Sequence, residues 1–164
     1  MQFERTTIVP TTIERAFELS LDVDLHAEGF EDSDEAAVGG VTAGVMQAGD
    51  TVTWRARHFG IWWTMTSEIV DYQPPRFFVD QQKRGPFKRF HHEHHFEQLA
   101  DGTTEMIDRI DFDAPLGILG RIAEWSVLER YLPKLIDQRN EFLVTAARRD
   151  AEVSPDDDGG TIYT

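Results

Sequence analysis

The spacing of apolar residues changes several times along this chain, and each change marks a different kind of element. Residues 3–9 alternate and end on β-branched side chains before Pro10, which predicts a short first strand. Ile13, Ala16, Phe17 and Leu21 then recur at helical spacing behind a threonine, with Glu14 favouring the helix N-terminus, so a first helix is predicted over residues 12–19. Residues 22–35 are rich in acids, hold no Lys or Arg, and read as a short second helix and an exposed loop before Gly39-Gly40. From 41 to 113 the period drops to two. Turn signals recur at Gln47-Ala48-Gly49-Asp50, Phe59-Gly60, Gln73-Pro74-Pro75, Arg84-Gly85-Pro86 and Ala100-Asp101-Gly102, predicting an antiparallel meander of six strands. After Pro115, Ile122, Trp125, Leu128, Leu132, Leu135, Ile136, Phe142 and Leu143 follow a three-or-four spacing to about residue 149: a long amphipathic helix, kinked near Pro133.

This order, β-α-α-β6-α, has a physical consequence. A twisted antiparallel sheet with one apolar face must cover that face, and an amphipathic helix can lie in its concavity. One helix cannot fill a wide curved sheet, so a cavity between them is expected. The predicted class is therefore α+β, with a seven-stranded curved antiparallel sheet wrapped on a long C-terminal helix. A single domain over residues 1–149 accounts for the length. Residues 150–164, with Pro155, consecutive aspartates and Gly159-Gly160, have little to bury and are expected to form an acidic, disordered tail.

Composition narrows the partners. The formal charge of −14 repels phosphate backbones and anionic headgroups, so nucleic acid and stable membrane insertion are not expected. The absence of cysteine excludes disulfides, thiolate-bound zinc, iron–sulfur centres and cysteine nucleophiles. Met1 to Arg5 lacks the basic start and apolar run of a signal peptide, and no stretch approaches the roughly 20 apolar residues that span a bilayer. A cytoplasmic protein is expected. Glycine phosphate loops, Gly-x-Ser-x-Gly elbows and helical metal-protease histidine pairs are all missing.

Three stretches carry a resemblance: Val52-Thr53-Trp54-Arg55-Ala56-Arg57-His58-Phe59-Gly60, Phe78-Val79-Asp80-Gln81-Gln82-Lys83-Arg84-Gly85-Pro86-Phe87, and Phe90-His91-His92-Glu93-His94-His95-Phe96-Glu97. With Ser20 to His26 and Asp108 to Gly117, they resemble the START-like, birch-pollen-allergen-like superfamily (SRPBCC), and within it the bacterial polyketide cyclase/dehydrase-like branch. The resemblance covers about residues 3–143. It implies the helix-grip fold and a cavity for a hydrophobic ligand such as a lipid, quinone or polyketide. Because that superfamily divides between carriers and enzymes and shares no catalytic residue, it implies no particular reaction.

The candidate chemistry is concentrated in residues 90–97. In an extended strand Phe90, His92, His94 and Phe96 share one face, marked as inward by its aromatics, and Arg89, His91, Glu93, His95 and Glu97 share the other. Across the Asp101-Gly102 turn, Met106, Asp108, Ile110 and Phe112 form the matching inward face. Asp108 with His92 or His94 is then either a structural pair, a polar anchor for a ligand or a general acid–base pair. The outward His91, Glu93 and His95 read as cross-strand charge pairing with Arg89, Glu105, Arg109 and Asp111. Asp22, Asp24 and His26 read as helix-capping or solvent-facing groups. Trp54 belongs to the inner wall with His58 at its end, and Trp62-Trp63 puts one indole on each face, Trp63 inward and Trp62 exposed at a possible homodimer contact. The resemblance, rather than the period, places Asp80 inward. The predicted ligand-binding set is Trp54, His58, Trp63, Asp80, Phe90, His92, His94, Met106, Asp108, Ile110 and Trp125. His-x-His does set two imidazoles side by side as zinc or iron needs, with His58, Asp80 or Asp108 as third donors. Nothing in the sequence shows that these converge, so neither a metal nor another cofactor is expected.

Three functions remain open at this point. The first is binding or transfer of a small hydrophobic ligand. The second is a cyclase or dehydratase using the same His and Asp for proton transfer, and the third is an interaction module with a vestigial cavity.

Overall fold

The computed structural model describes residues 1–30, 33–113 and 125–153, leaving aside the side chains of 125–127 and 153. Its strands are β1 (Gln2–Val9), β2 (Ala36–Gly40), β3 (Thr51–His58), β4 (Ile61–Gln73), β5 (Phe77–Arg84), β6 (Arg89–Gln98) and β7 (Thr104–Asp113). They form one antiparallel sheet in the order β1-β7-β6-β5-β4-β3-β2. Two short helices, α1 (Ile13–Leu21) and α2 (Val23–Gly29), follow β1, and the long α3 (Trp125–Val153) follows β7. This is the helix-grip arrangement, a curved sheet holding a long helix. Register shifts in β2–β3 and at two places in β4–β5 interrupt the ladders, and such bulges bend and twist a sheet.

Local chemistry explains the boundaries. The Thr12 hydroxyl caps α1 by accepting from Arg15 N, and the Asp22 carboxylate caps α2 by accepting from Asp24 N and Leu25 N. Asp24 in turn accepts from Gly44 N, so neither aspartate is poised as a cation ligand. The second strand differs from expectation: it lies at Ala36–Gly40, before the period-two region, and residues 41–50 form a connection. Its two glycines hid it, because they carry no side chain to show alternation. Helix α3 continues beyond residue 149 to Val153 with Pro133 inside it; Ile122 and residues 154–164 of the expected tail lie outside the described residues. No helix among the described residues is long and apolar enough to cross a membrane.

Two apolar clusters hold the layers together. In one, Phe17 of α1 packs edge-on against Tyr72, Phe78 and Phe96, each with centroids 5.5 Å away, and Leu143, Ala146 and Ala147 of α3 join it. In the other, Phe90, Ile110 and Phe112 meet Leu128, with Leu132 and Ile136 partly buried against them. Between these clusters α3 stands off from the sheet. Arg5 pairs with Asp137 at 2.7 Å and Arg15 with Asp150 at 2.6 Å, fastening α3 to β1 and α1.

Candidate functional site

The space under α3 is a cavity of about 230 Å³, walled by the inward residues of β3 to β6 and by the facing side of α3. Most of the wall is apolar. Trp54, Ala56, Trp63, Ile69, Phe78 and Phe90 form the sheet side, and Leu128, Leu132, Leu135 and Ile136 the helix side.

One end is different, and the sheet register is the reason. Asp80 on β5 lies opposite His92 on β6, and His94 on β6 lies opposite Asp108 on β7, so four titratable groups meet on three adjacent strands. The shortest contacts run diagonally as well as across. His92 Nε2 is 2.9 Å from Asp108 Oδ1 and His94 Nε2 is 3.0 Å from Asp80 Oδ2. His92 Nδ1 lies 3.4 Å from Asp80 Oδ2. His94 Nδ1 approaches Asp108 Oδ1 to 2.9 Å but lacks hydrogen-bond alignment. The two imidazoles sit 3.8 Å apart between centroids, and Phe78 stacks on His94 at 4.1 Å.

Helix α3 closes this cluster from above. Asn140 Nδ2 donates to Asp108 Oδ2 at 2.7 Å and to Thr7 Oγ1 at 3.0 Å. Arg139 reaches Asp108 Oδ1 at 3.4 Å and donates to the Ser20 carbonyl at 3.1 Å. Asp108 is fully buried. Burial raises the cost of charging it, but the hydrogen bond with His92 and the closeness of His94 outweigh that cost and hold its carboxyl well below the usual range. Asp80 is also held low: burial acts upward, while the His94 hydrogen bond and the nearness of both imidazoles and of Arg139 act downward. Burial and then the neighbouring His94 lower His92, against the pull of Asp108 and Asp80. The cluster thus carries two carboxylates and one guanidinium around a neutral His92.

At the other end, Tyr131 of α3 lies 2.8 Å from His58 Nδ1 through its hydroxyl and packs on Phe59 with centroids 4.5 Å apart. Phe59 and Gly60, with φ of 55° and 74°, form the two-residue turn between β3 and β4. Glycine adopts this backbone freely, whereas a bulky side chain there costs about 1–3 kcal/mol. The aromatic contact with α3 offsets that strain. Phe59→Asn is expected to leave the urea unfolding midpoint unchanged or raised, since asparagine tolerates the left-handed region, and to accelerate release of a bound ligand several-fold in stopped-flow exchange. An unchanged release rate would show that the contact does not close the cavity.

Of the residues expected in the wall, Trp54, His58, Trp63, Asp80, Phe90, His92 and His94 line the cavity. Asp108, Met106 and Ile110 face inward but lie outside its lining. His92, His94, Arg139 and Asn140 bond or crowd the Asp108 carboxylate, Met106 packs beneath Ser20 of α1, and Ile110 belongs to the apolar cluster around Phe112. The side chain of Trp125 lies outside the described residues. His91 and His95 do face outward, but they pair with Glu93 of their own strand, at 3.3 and 2.9 Å, while Arg89 takes Asp111 across the ladder at 2.6 Å. His26, read as a capping or surface group, instead stacks on Trp54 at 4.3 Å, pairs with Glu35 at 3.0 Å and lines the cavity.

A match to the family described as "Polyketide cyclase / dehydrase and lipid transport" spans residues 1–148. The chain belongs to that family. Among solved structures it resembles the Zhui aromatase/cyclase of Streptomyces sp. R1128, at 18% identity and a TM-score of 0.74, covering 98% of this chain and 99% of that one. It also resembles a START superfamily protein of Mycobacterium smegmatis, at 9% identity and a TM-score of 0.69, with 90% and 97% covered. The Panax ginseng major latex-like protein 151 aligns at 14% identity and a TM-score of 0.64, with 90% and 97% covered. At such identities these likenesses show the fold alone. No curated protein matches the chain.

Within this polyketide cyclase/dehydrase and lipid transport domain, sequence reasoning missed Arg139, Asn140, Tyr131 and Ser67. The apolar stripe of α3 runs through Leu128, Leu132, Leu135 and Ile136 to Leu143, Ala146 and Ala147, and its one interruption is Arg139-Asn140. Two polar residues at core positions of a helix call for buried partners, which was the available signal. Ser67 lies on the inward face of β4, and its hydroxyl is buried without a hydrogen-bond partner among the described residues.

Proposed function

We propose that this protein binds a compact, largely apolar, ring-containing molecule in the cavity under α3, with the polar end of the molecule directed at Asp80, His92 and His94. The reading rests on one observation: an apolar, aromatic-rich wall with Asp80, His92 and His94 clustered together at one end. Apolar contact supplies about 25 cal/mol per Å² removed from water, against roughly 0.5–1.5 kcal/mol net for one hydrogen bond. The wall therefore provides affinity and the polar end orientation. A cavity of about 230 Å³ lies below the roughly 300–1,000 Å³ of drug-sized pockets, which favours one or two fused rings over a long acyl chain. The unpartnered Ser67 hydroxyl supplies a further donor for such a ligand.

Native mass spectrometry of gently purified full-length protein, followed by solvent extraction, tests this. The expected result is a defined small-molecule adduct that disappears on extraction. Finding no adduct, and no binding across a panel of bicyclic and tricyclic phenols and quinones, would overturn the reading.

A second reading is supported by the two imidazoles at the polar end: proton transfer on a bound polyketide-like substrate in a cyclisation or dehydration. His92→Gln and His94→Gln that retain ligand but lose turnover would support it. A wild-type protein that binds such a substrate and returns it unchanged would remove it.

A further inference from the structure

The Asp80–His92–His94–Asp108 cluster is a closed ring in which each imidazole lies between both carboxylates. Its four N···O contacts are 2.9, 3.4, 3.0 and 2.9 Å. Every such contact needs something positive between nitrogen and oxygen. His94 Nδ1 is fully buried and lacks an aligned hydrogen-bond partner among the described residues. Arg139 comes within hydrogen-bonding distance of the Asp108 side of the ring.

The geometry points to a binding site for one divalent first-row transition metal ion, of the zinc or iron(II) kind, held by Asp80 Oδ2, His92 Nδ1 and His94 Nε2. One donor atom from each of these residues lies within 4.8 Å of the other two, and Asp80 Oδ2 is 3.4 Å from His92 Nδ1 and 3.0 Å from His94 Nε2. Donors bound to one ion at about 2.1 Å, at angles between octahedral and tetrahedral, are separated by about 3.0–3.4 Å, and both separations from the Asp80 oxygen already fall in that range. Two imidazoles and a carboxylate suit zinc or iron better than calcium or magnesium, which prefer oxygen alone.

The second layer fits the same ion. With the ion on the cavity side, the far nitrogen of His92 hydrogen-bonds Asp108 Oδ1 at 2.9 Å, and the far nitrogen of His94 lies 2.9 Å from the same oxygen without hydrogen-bond alignment. A carboxylate receiving the far N–H of a metal-bound histidine fixes its tautomer and orientation, as Asp108 does for His92. Asn140 and Arg139 hold Asp108 in turn, which gives these buried α3 residues a reason to stand in an apolar stripe. All three ligands line the cavity, so the open coordination positions face any molecule bound there. The ion does not depend on that molecule, and its test is separate from the test of ligand binding.

Chelator-stripped full-length protein titrated with Co²⁺ should bind one equivalent per chain, with visible d–d bands, and Zn²⁺ should displace the cobalt and raise Tm. Asp80→Asn and His94→Gln, checked for folding by near-UV circular dichroism, should each weaken cobalt binding more than tenfold. The outward pair His91→Gln/His95→Gln should bind as the wild type does. Wild-type protein without stoichiometric cobalt bands would overturn the site. So would bands that survive Asp80→Asn and His94→Gln but vanish in the outward double variant, since these would belong to the exposed His91–Glu93–His95 group.

Discussion

Asp108→Ala is expected to destabilise the folded chain by roughly 3–5 kcal/mol, the cost of breaking a buried charged network by removing one partner. Asp108 is the group on which β6, β7 and α3 meet. His92, Arg139 and Asn140 all bond to it, and its own exposure is zero. Without the carboxylate, the Arg139 guanidinium stays buried with the Ser20 carbonyl and the Asn140 side chain as its hydrogen-bond partners among the described residues. Among those residues Asn140 Nδ2 keeps Thr7 as its acceptor. Urea unfolding followed by circular dichroism reads the effect as a lower midpoint at unchanged slope. Asp108→Asn, which preserves shape and one carbonyl acceptor, should lose less. Equal stability of Asp108→Ala and the wild type would mean that the network is relaxed by water and holds nothing together.

Ala56→Trp is expected to weaken ligand binding by more than about 100-fold, or about 2.7 kcal/mol, while leaving the fold in place. Ala56 is the one small side chain on the inner face of β3, between Trp54 and His58, and it opens onto the cavity. An indole there occupies space that a ligand needs, and because it enters a cavity rather than a packed core it avoids the usual 1–3 kcal/mol penalty of overpacking. Isothermal titration with the ligand recovered from the wild type, alongside thermal unfolding, separates the two effects. Retained affinity with an unchanged Tm would place the ligand elsewhere on the protein. The same variant should still bind cobalt, since Ala56 lies on β3, away from the strands that carry the three proposed metal ligands.

Alternation exposed some parts of this molecule more readily than others. On β6 and β7 it was unambiguous, because Phe90, Phe96, Ile110 and Phe112 mark the inward face and the polar His92, His94 and Asp108 fall in step with them. On β5 both faces hold apolar groups, so the period could not orient Asp80; pairing with β6 decides it, by setting Asp80 opposite His92. On β2, Gly39 and Gly40 left no pattern to read. Among the acids of residues 22–35, charge alone suggested a solvated surface. Glu35 was hidden there as a cavity residue because its partner His26, and the indole on which that histidine stacks, arrive from other elements.

The sequence by itself determined the order of elements, the curved sheet with its covering helix, and which side of each hairpin strand carries imidazole and carboxylate. These follow from periods of two and of three to four, which are local properties of the chain. Only the tertiary structure decided that Asp108 lies behind the cavity wall, that Arg139 and Asn140 come down on it, and that Asp80 closes the ring with His92 and His94. Those contacts join residues as far as 32 positions apart on different elements, and their distances depend on strand register and on the depth at which α3 sits, which no local pattern encodes.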